Sequence, residues 1–140
     1  MTNPTVVIVP GLWHKPAHYA PLKDVLEAAG YKVTVVDLPC NSTSGFTSTN
    51  WDHDTSAIRK EIQTVLDREE DVILVMHSYG GYLGSEAAKG LNKREREAKG
   101  LKGGVIHLVY MCAFAKDPSI RHPGQLFDWV IMEVRPLLNH

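Results

Sequence analysis

Val72-Ile73-Leu74-Val75-Met76-His77-Ser78-Tyr79-Gly80-Gly81 is the stretch that decides the fold. Val72 to Met76 is a short, continuous apolar run, as a parallel strand covered on both faces requires. Gly80-Gly81 then lets the chain turn and opens a helix to about Lys89, with Gly81, Gly84, Ala87 and Ala88 as a small-residue face. A serine between such a strand and such a helix sits on a sharp turn with its hydroxyl above the sheet. The helix N-terminus favours negative charge developing there. Ser78 is therefore the candidate nucleophile. The usual pattern at such a turn is Gly-x-Ser-x-Gly. Here Met76 stands at the first glycine position, which asks a bulky side chain to fit beside a tight turn.

The flanking sequence alternates in the same way. Thr5 to Val9 is a β-branched strand ended by Pro10-Gly11. Leu22, Val25, Leu26 and Ala29 follow at helical spacing, with Pro21 near the helix start and Gly30 at its end. Val33 to Leu38 is a second buried strand, and Pro39 to Thr49 a Ser/Thr/Asn-rich loop. Thr49-Asn50-Trp51-Asp52 resembles a capping box that opens a helix lined by Ile58, Ile62, Val65 and Leu66. Beyond the deciding stretch, Asn92 to Gly104 is charged and reads as a solvated connection. Val105 to Tyr110 is a fourth strand that runs on through Phe114, and Asp117 to Gly124 is a Pro/Gly loop. Gln125 to Leu138 is expected to be a final helix, with Leu126, Phe127, Val130, Ile131 and Val134 on one side. Strands alternating with helices predict an α/β fold with a parallel sheet of about four strands in one domain, residues 1–140.

Composition excludes some partners. The formal net charge of −1 offers no basic cluster for phosphate backbones, so no nucleic-acid or anionic-membrane partner is expected. The N-terminus has no basic region followed by a long apolar stretch, and no apolar run approaches spanning length, so a cytoplasmic protein is the default expectation. Cys40 and Cys112 lack metal-ligand spacing and are expected to be reduced and half-buried. No metal or other cofactor is expected, and Gly80-Gly81 is no phosphate loop, because the Lys and Ser/Thr that would follow are missing.

In open parallel sheets chemistry collects at the carboxyl ends of strands. One such end carries Ser78; the other is Pro10-Gly11-Leu12-Trp13-His14. Acyl transfer needs two backbone N–H donors for its oxyanion. Tyr79, the residue after the nucleophile, supplies one in this reading, and Leu12 the other. Trp13, His14 and His77 are then pocket residues.

These stretches resemble the N-terminal half of the α/β-hydrolase superfamily, most closely its small esterases and hydroxynitrile lyases. The matching segments are residues 7–14, 26–39 and 72–81, and the likeness runs from about residue 5 to residue 124. It implies a sheet ordered second, first, third, fourth in this chain's own numbering. It also implies an acid and a histidine that follow the nucleophile in the order Ser, acid, His. The sequence ends at His140, where a cap region would begin, with residues 125–140 as the start of a cap helix; the strands that would carry acid and base are absent.

Several titratable residues stand as local candidates for these roles. Asp117 follows the fourth strand, where some relatives place the acid, and competes with a plain solvated loop aspartate. His122 and His140 could reach Ser78 only if the tail folded back. His77 reads as a packing or hydrogen-bonding residue, His107 as a satisfied core histidine, His18 and His53 as helix-surface residues, and Asp37 as structural. The resemblance implies a serine hydrolase acting on a small ester or amide. The alternatives are a non-catalytic binding protein or fragment, and a hydroxynitrile lyase-like enzyme. The fourth strand, left as an apolar edge, also makes self-association an expected behaviour.

Overall fold

The structure, a computed structural model, describes residues 3–41 and 51–115. Its sheet has four parallel strands, β1 (Thr5–Val9), β2 (Lys32–Val35), β3 (Val72–His77) and β4 (Val105–Met111), in the order β2-β1-β3-β4. That is the order the family resemblance implies.

Alternation along β1 divides the core. Val7 and Val9 join Leu74 and Met76 on one face, under α2 (Trp51–Leu66) and α3 (Gly80–Ala87). Val6 and Ile8 join Ile73 and Val75 on the other, where α1 (Ala20–Ala28) brings Leu22 and Leu26. The helix-lining residues Ile58, Ile62, Val65 and Leu66 are all buried as their spacing predicts. Val25, placed on the same grounds toward the sheet from α1, is instead 68% exposed.

Four readings need correction. The second strand is shorter than Val33–Leu38: the ladder ends at Val35, and Val36 continues only through its N–H to Ile8 O at 2.9 Å. Asn92–Gly104 is largely exposed, as expected, but is not a plain connection. It contains α4 (Lys93–Glu97), capped by Asn92 Oδ1 accepting from Glu95 N, and it buries Arg96, Gly103 and Gly104. The Arg96 guanidinium turns inward to donate to Gly103 O and Lys102 O, so its charge is met by carbonyl dipoles. His107 is exposed, because β4 is an edge of the sheet among the described residues, and Leu108, Val109 and Tyr110 beside it are 40–44% exposed. Both cysteines are free; Cys40 is half-buried as expected, but Cys112 is exposed.

The expected capping residues Thr49 and Asn50 and the expected helix over residues 125–138 lie outside the described residues. Among the described residues no helix is long and apolar enough to cross a membrane.

Candidate active site

The turn after β3 has the backbone that a projecting nucleophile needs. Ser78 has φ 51, in the left-handed region that L-residues rarely adopt. Its peptide is pinned on both sides: Ser78 N–H reaches toward Met111 O at 3.4 Å, and Ser78 O accepts from Phe114 N and Gly81 N at 3.1 and 3.0 Å. Ser78 Oγ has no hydrogen-bond partner among the described residues.

Met76 fits for a specific reason. Its side chain is fully buried, and a Cβ built on Gly84 would lie 2.6 Å from its sulfur. The space taken by Met76 is thus space that Gly84 vacates on the facing helix. The missing first glycine of the pattern is offset by a glycine eight residues later, on α3.

The loop after β1 runs beside this turn: a Cβ on Gly11 would lie 3.2 Å from Ser78 Cβ. Trp13 bends it with φ 63 and is 72% exposed, a ring standing out toward solvent. Nearly every polar backbone group of the loop is engaged. Gly11 N donates to Tyr19 Oη at 2.9 Å, Trp13 N to Asn41 Oδ1 at 2.7 Å, and His14 N to Gly11 O at 3.2 Å. His14 Nδ1 faces Leu12 O at 3.0 Å. Of the donors from Gly11 to His14, only Leu12 N–H has no partner among the described residues.

Aromatic and imidazole side chains fill the floor between the two loops. Tyr19 Oη lies 2.7 Å from His77 Nδ1, and the His14 ring meets the His77 ring edge-on with centroids 5.1 Å apart. Tyr19 Oη also accepts from Gly11 N, so the phenol bridges the loop after β1 and the end of β3. Burial, and then the neighbouring His14, hold the His77 pKa below its usual 6.5.

Tyr79 differs from its expected part in one respect. Its backbone N–H stands at the start of α3, but its ring is buried, stacks edge-on with Trp51 and reaches Asp54 Oδ2 at 3.5 Å. It belongs to the core. Burial, and then the charge of Asp54, raise its pKa and keep it neutral. Asp54 also accepts from Cys40 N at 2.9 Å, while burial and then Asp54 push the Cys40 thiol up to about 12.

Ser78, Leu12, Tyr79, His14 and His77 are therefore gathered at one end of the sheet. Asp117, His122 and His140 lie outside the described residues. Among the described residues no group of His, Cys, Asp and Glu could hold a metal ion. Tyr19, Asn41 and Asp54 were not singled out from the sequence. Asp54 had left a trace there: it precedes Ile58 and Ile62 at intervals of four, so the apolar face of that helix carries a carboxylate.

Comparison with known proteins is consistent with this geometry. The model of the alpha/beta hydrolase family matches residues 6–139. An alpha/beta hydrolase of Aspergillus novofumigatus is 40% identical over 126 residues, covering 90% of this chain and 49% of its own length. Methylesterase 7 of Arabidopsis thaliana is 32% identical over 142 residues, covering 91% and 46%. The crystal structure of a polyneuridine aldehyde esterase mutant superposes with a TM-score of 0.59 at 24% identity, over 89% of this chain and 47% of its own, a likeness of fold. The chain spans about half the length of the curated relatives it matches.

Proposed function

Because the chain belongs to the alpha/beta hydrolase family, we propose that this end of its sheet is the nucleophile and oxyanion half of a serine esterase site. One observation carries the reading. Ser78 is held at φ 51 between strand and helix, beside a loop in which Leu12 N–H is left over as a donor. Ser78 Oγ attacks the carbonyl carbon of a small ester or amide. The carbonyl oxygen becomes the oxyanion and takes hydrogen bonds from the Leu12 and Tyr79 N–H groups at the start of α3, where the helix dipole adds to them.

Attack at neutral pH also needs a base for the Oγ proton. His77 is a poor one, since its Nδ1 is occupied by Tyr19. In this reading the base and its acid come from outside the described residues. The relatives that are named hydrolase and methylesterase favour an ester as substrate.

The test is labelling by a fluorophosphonate probe, with Ser78→Ala as control. Labelling of the wild type that vanishes in the variant supports the esterase reading. Folded wild-type protein that stays unlabelled rejects it for this chain and leaves a binding role for the site.

A further inference from the structure

The loop that carries Leu12 is held from within by a side chain distant in sequence. Asn41 ends the single 3-10 turn Pro39–Asn41 that follows β2, and it is only 6% exposed. Its Nδ2 donates to Gly11 O at 3.1 Å and to His14 O at 2.7 Å, while its Oδ1 accepts the Trp13 N–H at 2.7 Å. The amide can sit only this way round. Turned over, its oxygen would face two carbonyls and its NH2 group would face an N–H. The oxygen also accepts from the Cys40 thiol at 3.5 Å. A side chain of this size that both donates twice and accepts is an asparagine; aspartate has the shape without the donors, and leucine has neither.

From this geometry we infer that Asn41 is a positioning residue for the oxyanion loop. It consumes the inward-facing polar groups of Gly11, Trp13 and His14, and so fixes the peptide planes on either side of Leu12. Leu12 N–H is the donor that this arrangement leaves over. The clamp also spans the sheet order: a residue after β2 sets a loop after β1, which lies next to β3 and its serine. Its catalytic meaning rests on the esterase reading; its structural meaning does not.

Two measurements on Asn41→Ala and Asn41→Asp keep those meanings apart. The first is amide hydrogen exchange across residues 11–14, with β1 as internal reference. Asn41→Ala is expected to speed Trp13 exchange about 10-fold or more, because its acceptor is gone, and to leave β1 unchanged. Asn41→Asp keeps the size and the Trp13 bond but loses both donated bonds, and it serves where the alanine variant does not fold. It is expected to speed His14 exchange while Trp13 stays protected.

The second measurement is the rate of Ser78 phosphonylation. It is expected to fall about 10- to 100-fold in both variants, the cost of a misplaced oxyanion donor. Loop exchange at the wild-type rate in both variants overturns the inference. So does faster exchange with an unchanged labelling rate. If the folded wild type never labels while Asn41→Ala loosens the loop, the clamp stands and the esterase reading falls.

Discussion

The Tyr19 hydroxyl is hydrogen-bonded to His77 Nδ1 across 2.7 Å while accepting the Gly11 N–H at 2.9 Å, so one phenol joins the loop after β1 to the last residue of β3. Tyr19 is 6% exposed; of its two partners Gly11 is buried and His77 half-buried. Tyr19→Phe keeps the ring and removes the link. A buried N–H and a half-buried imidazole nitrogen then lose their partner, and stability is expected to fall by about 1–3 kcal/mol. Urea unfolding at pH 7.5 checks this (roughly neutral conditions, well above the usual His range); an unchanged midpoint would show that the hydroxyl is dispensable.

Met76 and Gly84 should be energetically coupled. Gly84→Ala drives a methyl into the Met76 side chain, and overpacking of this kind costs about 1–3 kcal/mol. Met76→Ala alone leaves a cavity at a cost of about 2–5 kcal/mol. In the double variant the new methyl enters the vacated space, so the combined loss is expected to be smaller than the sum. Strict additivity would mean that the two side chains do not share that space.

Acid should act in two windows. His77 has its folded pKa below 6.5, so the unfolded chain takes up that proton first. Its contribution is whole above pH 6.5 and is lost as pH falls through that value toward the folded pKa. Glu70, held by Lys32 and then by Thr5 and Arg68, has its pKa lowered from 4.5 to about 2. Its contribution is present above about 4.5 and is lost as pH falls toward 2. Stability measured against pH is expected to show both limbs. Glu70→Gln should flatten the lower limb alone, and histidine titration by NMR should place the His77 midpoint below 6.5.

Replacing Ser78 tests its backbone as well as its chemistry. Glycine accepts φ 51 without strain, whereas alanine does not. Both variants lose the hydroxyl, and Ser78→Gly is expected to be more stable than Ser78→Ala by about 1 kcal/mol. The reverse order in thermal melts would mean that the turn relaxes out of the left-handed region once the hydroxyl is gone.

The fold was legible in the sequence because buried parallel strands leave unbroken apolar runs. Thr5–Val9 was read to the residue, and β3 to within one. The helix at Lys93–Glu97 was hidden by its own composition: Lys-Arg-Glu-Arg-Glu has no apolar face, and the inward turn of Arg96 depends on carbonyls that only the folded chain places there. His107 failed for a related reason, since alternation within a strand does not reveal whether the strand lies at an edge. At the site, the strand-end rule brought out Ser78 and Leu12 because they sit where strands stop. Asn41 reaches across 27 to 30 residues of chain, and Tyr19 reaches His77 across 58, through individual side-chain hydrogen bonds that leave no periodic trace.

The order of the sheet also sets a timetable. β1 lies between β2 and β3, yet β2 is complete at Val35 and β3 does not begin until Val72. On a ribosome adding about 5–20 residues per second, one side of β1 waits seconds for its partner. Protease digestion of chains stalled before and after residue 77 would show the change as that side closes. Until then the first strand to be made has only one neighbour, and the loop that follows it has no serine turn to stand beside.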